Sequence, residues 1–285
     1  MIENLQKQGN FSWRYFHFID TAGTRINVIE HETDIFGLEK NPYMTMVIKN
    51  PGLEPVRLKG ESNVIWERNL VEKSGEFEFV CQNVRFIGTV SEALHYKDFA
   101  DILLYQDSMG RESHWAVDVP YGKIKGTLTT PHEEKQINGY MYQDRQWGDI
   151  PLQEWIKDWT WAHLANKDLF VIIFCINTMD GKKSWHAISG QGEEVSLNNN
   201  FQVSGLPELT EAKNPTSNIF RVEIKIPGKS PISFSLQPED IMRLRMDEKH
   251  PDFSANYIRW SIKGSSDQST DPMQGIAEYI KIEKL

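Results

Sequence analysis

The sequence is poor in the features that announce most enzyme classes. Only two cysteines occur among its 285 residues. Cys81 and Cys175 each sit inside an apolar, strand-like segment, so no disulfide framework is expected and both thiols read as small buried hydrophobes. Cations are not in excess: 31 Lys and Arg against 40 Asp and Glu leave a formal net charge of −9. A general nucleic-acid binder has to replace phosphate counterions with its own cations, so nucleic acid is not an expected partner. No apolar run approaches the length of a bilayer span, and the opening Met1-Ile2-Glu3-Asn4-Leu5 has no basic segment leading into an apolar one. The expected location is the cytoplasm. The eight histidines show neither His-x-His nor His-Glu-x-x-His spacing, so no metal site is predicted. Also missing are a Gly-x-Ser-x-Gly elbow, a Walker loop and a Gly-x-Gly-x-x-Gly after a strand, which removes the usual warrants for hydrolase, kinase and dinucleotide chemistry.

What is present is alternation. Apolar residues recur with period two over Phe11 to Ile19, Arg25 to Glu30, Tyr43 to Lys49, Glu76 to Phe86, Ala100 to Gln106, His114 to Val119, Lys123 to Thr129, Tyr140 to Trp147 and Trp159 to Ala165. The pattern continues through Leu169 to Ile176, Ser184 to Ser189, Phe220 to Ile226, Ser233 to Leu236, Met242 to Met246, Ile258 to Ile262 and Ala277 to Ile282. Turn signals separate these runs at Ala22-Gly23, Pro51-Gly52, Met109-Gly110, Asn138-Gly139, Asp180-Gly181, Pro227-Gly228 and Lys263-Gly264. Ser265 to Asp271 reads as one exposed loop. Many short antiparallel strands predict an all-β chain of barrels or sandwiches. The best break is Trp147-Gly148-Asp149-Ile150-Pro151, followed by one or two helical turns over Leu152 to Lys157 with Asp149 as their cap. It divides the chain into residues 1–149 and 150–285, each with roughly eight strands, enough for a small barrel.

Five of the nine tryptophans, Trp115, Trp147, Trp155, Trp159 and Trp161, fall close to that break. In a strand, side chains two apart share a face. Tyr140, Tyr142, Asp144 and Gln146 therefore point one way, and Met141, Gln143, Arg145 and Trp147 the other. Trp159, Trp161 and His163 share a face of the next strand. Such faces suit an apolar cavity with a few polar groups. A carboxylate among aromatic rings loses hydration and tends toward its protonated form, so Asp144 is the candidate acid. Rings around it would steady a developing cation by about 0.5–2 kcal/mol each. The same pattern also suits a core filled by Trp and Tyr, with Asp144 merely accepting hydrogen bonds from turn amides.

The segment Gly139-Tyr140-Met141-Tyr142-Gln143-Asp144-Arg145-Gln146-Trp147-Gly148, followed by Trp159-Thr160-Trp161, resembles the Gly-Tyr-x-x-x-Asp-x-x-x-Gly and Trp-x-Trp signature of the hydroxyneurosporene synthase (carotenoid 1,2-hydratase) and AttH-like family. That family includes kievitone hydratase-like proteins and lipocalin-type Diels–Alderases. Trp13-Arg14-Tyr15-Phe16-His17-Phe18, His114-Trp115-Ala116-Val117 and Gly275-Ile276-Ala277-Glu278-Tyr279 extend the likeness over most of the chain. The resemblance implies two lipocalin-like (calycin) domains in tandem with a pocket at or near their junction. It further implies a hydrophobic small-molecule substrate, isoprenoid or polyene, and no cofactor. Asp144 would donate a proton to an alkene ahead of hydration or cyclisation. Tyr140, Tyr142, Gln146, Trp147, Trp159, Trp161, His163 and Trp115 would bind the substrate. In the Diels–Alderase branch the pocket folds a polyene into a reactive conformer without acid catalysis, and a non-catalytic carrier of a hydrophobic ligand is the remaining alternative. An apolar ligand also allows transient membrane contact, although the net negative charge argues against attraction to anionic lipid.

Overall fold

The computed structural model describes residues 11–33, 41–95, 99–191, 194–198, 201–204, 220–224, 232–245, 253–267 and 269–284. They form two compact units, Met1–Glu154 and Trp155–Leu285. Apart from the short α1 (Leu152–Trp155), the regular elements are strands. Asp149, expected as the cap of α1, accepts the Glu112 N–H through its carboxylate at 2.6 Å.

In the first unit, β1 (Phe11–Asp20), β2 (Arg25–Thr33), β3 (Tyr43–Lys49), β4 (Val56–Glu61), β5 (Val64–Asn69), β6 (Ser74–Cys81), β7 (Val84–Ser91), β8 (Ile102–Gln106), β9 (Glu112–Thr129) and β10 (Glu134–Gly148) make one sheet. Its order is β4-β3-β2-β1-β10-β9-β7-β6-β5, with β8 beside β9. The second unit contains β11 (Ile156–Ala165), β12 (Leu169–Thr178), β13 (Lys183–Gln191), β14 (Glu194–Asn198), β15 (Phe201–Ser204), β16 (Phe220–Ile224), β17 (Ile232–Arg245), β18 (Phe253–Ser266) and β19 (Ser269–Lys284). Its order, β14-β13-β12-β11-β19-β18-β17-β16-β15, follows the same scheme. In both, the first strand pairs antiparallel with the last. In the first unit β3 and β4 also come round to β6, so that sheet nearly closes.

Alternation decides what each sheet encloses. Phe16, Phe18, Val28, Met46, Phe77, Phe79, Phe86 and Met141 pack as the core of the first unit, where Phe18 meets Phe77 and Phe86 with ring centroids 5.0 Å apart. Ala162, Leu164, Val171, Ile173, Trp260, Ile262 and Ala277 fill the second. Burying one Phe ring stabilises the fold by roughly 1.5–3 kcal/mol. Cys81 and Cys175 are free and buried, and burial pushes both thiols up from the ordinary cysteine range.

Several boundaries differ from expectation for physical reasons. His114 to Val119 and Lys123 to Thr129 are one strand, β9, because Pro120 lies at an irregularity in the ladder where its missing N–H costs nothing. Ser233 to Leu236 and the described part of the Met242 to Met246 run are likewise joined in β17 across a register shift beginning at Pro238, Met246 lying outside the described residues. Glu76 to Phe86 splits into β6 and β7 at a turn containing Gln82 with positive φ. The Ser265 to Asp271 loop is mostly the β18–β19 hairpin. Strands β4 and β5 escape a hydrophobicity reading because their residues are half-buried or exposed. The Pro227-Gly228 turn signal lies outside the described residues.

Gly23, Gly52, Gly110 and Gly181 occupy the expected turns with positive φ. Gly139 does not: it lies inside β10, opposite Asp20, where a Cβ would run into the Ile19 carbonyl oxygen. Gly275 holds the corresponding place in β19, opposite Leu164, and a Cβ there would strike the His163 carbonyl oxygen. Each glycine lets a last strand lie close on a first. Gly139→Ala and Gly275→Ala are each expected to lower stability by about 1–3 kcal/mol or more, read as an earlier urea-unfolding midpoint. An unchanged midpoint would show that the strands part without cost.

Candidate active site

Directly opposed residues in an antiparallel pair share a face. Tyr15 lies opposite Asp144, His17 opposite Tyr142 and Trp13 opposite Gln146. On the other flank of β10, Asp144 is opposite Val117 and Gln146 opposite Trp115. Tyr15 and His17 are matched in turn by Ile29 and Asn27 of β2. This face looks away from the Phe and Met core, yet Trp13, Tyr15, His17, Asn27, Trp115, Tyr142, Asp144 and Gln146 are all buried. An antiparallel sheet commonly gives such a face to solvent. Here it carries polar groups out of water.

Asp144 is the centre of that face and is 2% exposed. Its Oδ2 accepts the Trp115 indole N–H at 2.9 Å and the Tyr142 hydroxyl at 2.6 Å. Tyr142 is met edge-on by Tyr15 at 6.3 Å, and Tyr15 donates to Asn27 Oδ1 at 2.8 Å, which fixes the ring. An indole N–H only donates. With Oδ2 receiving two donors, a proton on this carboxyl belongs on Oδ1. In the carboxylate form the group is held by two hydrogen bonds, each worth about 1.5–3 kcal/mol when the acceptor is charged.

Arg145 does not pair with Asp144. Its guanidinium grips Asp118, with Nε to Oδ2 at 2.5 Å and a terminal nitrogen to Oδ1 at 3.1 Å. Gln143 Nε2 donates to the same Oδ2 at 2.9 Å, and Arg68 approaches Oδ1 at 3.6 Å while donating to the Asp118 carbonyl at 2.9 Å. Burial holds the Arg68 guanidinium below its ordinary range, opposed by Asp118 and reinforced by Arg145. The ladder irregularity explains the arrangement: β9 spends extra residues between Val117 and Gly122, which carries Asp118 to the side of Gln143 and Arg145. Sequence reasoning missed Asp118; the signal available was Pro120 interrupting an otherwise regular strand.

The other expected site residues divide. Tyr142, Gln146 and Trp115 share the Asp144 face, as does Tyr140, which is half-buried against Tyr121 at 5.2 Å. Trp147 lies on the face opposite to Asp144, half-buried, stacked on His114 at 5.4 Å with Arg145 over its ring. Its place follows from alternation, which puts it one residue out of step with Asp144. His114 is held between Asp101 and Glu112, at 2.6 and 3.0 Å. Trp159, Trp161 and His163 belong to the second unit, where they share the face of β11 turned from that unit's core. Across β19 and β18 they meet Ile280 and Tyr257, Glu278 and Arg259, and Ile276 and Ser261. This face, too, is buried. Among the described residues, no cluster of three or more His, Cys, Asp or Glu is arranged to hold a metal, and no helix is long and apolar enough to cross a membrane.

The fold matches solved structures at low sequence identity. The AttH candidate NE1406 of Nitrosomonas europaea is 12% identical with a TM-score of 0.66, the match covering 96% of this chain and 92% of that one. CghA is 10% identical with a TM-score of 0.65, over 96% and 87% of the two chains. Kievitone hydratase from Nectria haematococca is 17% identical with a TM-score of 0.55, over 96% and 89%. The chain therefore has the AttH-like, lipocalin-type fold. No protein-family model and no curated protein sequence matches it.

Removing the charge of Asp118 leaves two guanidinium groups without their common counter-ion and turns one acceptor oxygen facing Arg145 or Gln143 into an NH2 donor. Asp118→Asn is expected to cost about 3 kcal/mol, the scale of breaking a buried ion pair, measured by chemical denaturation. A loss under about 0.5 kcal/mol would place this cluster with ordinary surface ion pairs.

Proposed function

We propose that the chain is a cofactor-independent biosynthetic enzyme that binds an apolar isoprenoid or polyene and protonates one of its alkenes, leading to hydration or cyclisation. The observation that carries this reading is the buried Asp144 carboxyl, anchored through one oxygen by Trp115 and Tyr142 on a face of aromatic rings. Support for the chemistry comes from the kievitone hydratase that shares the fold. Asp144 Oδ1 gives its proton to one alkene carbon, the new C–H bond taking the π pair and leaving a carbocation on the other. The rings of Tyr15, Tyr142 and Trp115 offer their negative faces to that cation. Trp115 and Tyr142 hold the carboxylate meanwhile. Water then adds through its oxygen and its surplus proton returns to Asp144, so the net change is addition of water across the double bond. Capture by a second alkene closes a ring instead, with proton loss to the same carboxylate.

A second reading, that the face folds or carries a polyene without acid catalysis, is favoured by the structure of CghA with the small molecule Sch210972. One variant separates the two. Asp144→Asn keeps the size and an acceptor for Trp115 but has no acidic proton, so turnover of a terpenoid or polyene substrate is expected to fall by at least 10²-fold, within the usual range for loss of a general acid, while ligand binding changes little. Retained turnover would leave only the template. A ligand recovered chemically unchanged from the wild type, as judged by mass spectrometry, would leave only the carrier.

A further inference from the structure

Besides Trp115 and Tyr142, a third hydrogen-bond donor faces Asp144. Tyr15 lies directly opposite the carboxyl in the β1–β10 ladder, on the same buried face. Side chains opposed in this way begin only about 4.5–5.5 Å apart at Cβ, a gap that a phenol spans. Tyr142 shows that the carboxyl does take a tyrosine hydroxyl, at 2.6 Å. Tyr15 instead donates to Oδ1 of the buried Asn27 at 2.8 Å, diagonally across the β1–β2 ladder, where Asn27 is opposite His17. A tyrosine hydroxyl has one proton to give. Given to Asn27, it is withheld from Asp144.

The kind of acceptor matters as much as its place. An amide oxygen takes the proton without bringing charge to the face, whereas an aspartate at position 27 would set a second carboxyl near the first, and a leucine would release the hydroxyl. Each hydrogen bond to a carboxylate favours the ionised form. Oδ2 already accepts two, so a third donor would draw the group further toward the anion, which has no proton to give an alkene. Within two ladder rows of Asp144, the other ionisable groups on this face are Tyr15 and His17 on β1, Arg25 and His31 on β2, Tyr121 and Lys123 on β9, and Tyr140 and Tyr142 on β10. Arg25 donates to the Gly23 carbonyl at 3.4 Å, His31 is stacked on Tyr43 at 4.3 Å, and Lys123 is paired with Glu92 at 2.7 Å.

We infer that Asn27 is a positioning residue for the acid: by accepting the Tyr15 hydroxyl it keeps that proton away from Asp144 and so preserves the protonated, proton-donating form of the carboxyl. The inference rests on the acid reading above and involves the first unit alone. Asn27 acts through Tyr15, without touching the reacting atoms. With the amide gone, the acceptor that register sets opposite the Tyr15 side chain is Asp144 itself.

The test is the titration of Asp144, followed by ¹³C NMR in the full chain labelled at the aspartate γ-carbons, its resonance being the one missing from Asp144→Asn. Asn27→Leu is expected to lower the midpoint by about one to two pH units, the scale of one hydrogen bond to a charged acceptor. Tyr15→Phe has no hydroxyl to redirect, so it is expected to leave the midpoint unchanged by itself and to restore it when combined with Asn27→Leu. Damage to packing at Asn27 would not be repaired by removing an oxygen from Tyr15. An unshifted midpoint in Asn27→Leu, a shift that persists in the double variant, or a rise in Tyr15→Phe alone would overturn the inference and not the acid reading. The Tyr15→Phe result stands even if Asn27→Leu does not fold. A wild-type midpoint at or below the ordinary aspartate value of about 4 would overturn the acid reading and the inference together.

Discussion

Pairing of the first strand of each unit with its last is the constraint from which the rest follows. β1 against β10 turns an ordinary meander into a nearly closed sheet with Phe16, Phe18 and Met141 inside. The same ladder sets Tyr15 opposite Asp144 and His17 opposite Tyr142 on the other side. A one-residue slip would exchange the two faces, taking the carboxyl into the phenylalanine core and the core residues out of it. Register is therefore defended from both sides, by apolar packing on one and by the Asp144 hydrogen bonds on the other. Gly139 makes the close approach of the two strands possible.

β10 carries two unlike electrostatic environments on its opposite faces. On one, Asp144 is held by uncharged donors; on the other, Arg145 is claimed by Asp118. The two carboxyls are served by neighbouring residues of the same strand without sharing a cation. That separation depends on the irregular ladder in β9, which supplies Asp118 on the arginine side. The second unit repeats the architecture with a different solution: Glu278 is neutralised by Arg259. The two buried faces share a scaffold and differ in chemistry.

Much of this was legible in the sequence wherever one face of a strand is buried, because alternation then records it directly. Tyr43 to Lys49 is β3 to the residue, and the two faces of β10 are as the period-two pattern has them. The resemblance carried by the Gly139 to Gly148 segment led to the fold that the solved structures share. The runs that stop before Pro120 and Pro238 continue past them, because those prolines lie at irregularities within continuous strands. Glycine misled for the opposite reason: Gly139 serves a close approach, which in sequence looks the same as a turn. Asp118 was invisible because its importance arises from the ladder's extra residues, a property of pairing and not of the residue. Trp159 was visible as an aromatic, but its neighbours across the ladder, Ile176 and Ile280, were not.

Joining the ends of a unit also has a consequence during synthesis. β1 can form its hairpin with β2 early, but its other edge waits for β10, more than a hundred residues later. At about 5–20 residues per second, that wait is on the order of ten seconds on the ribosome. Throughout it, a nascent chain presents an unpaired strand rich in phenylalanine, tryptophan and tyrosine, the kind of edge on which β-proteins aggregate. The first unit therefore has to be kept from such edge contacts until Gly148 has left the exit tunnel. Its partner in the tandem makes the same demand a second time, between the emergence of β11 and that of β19.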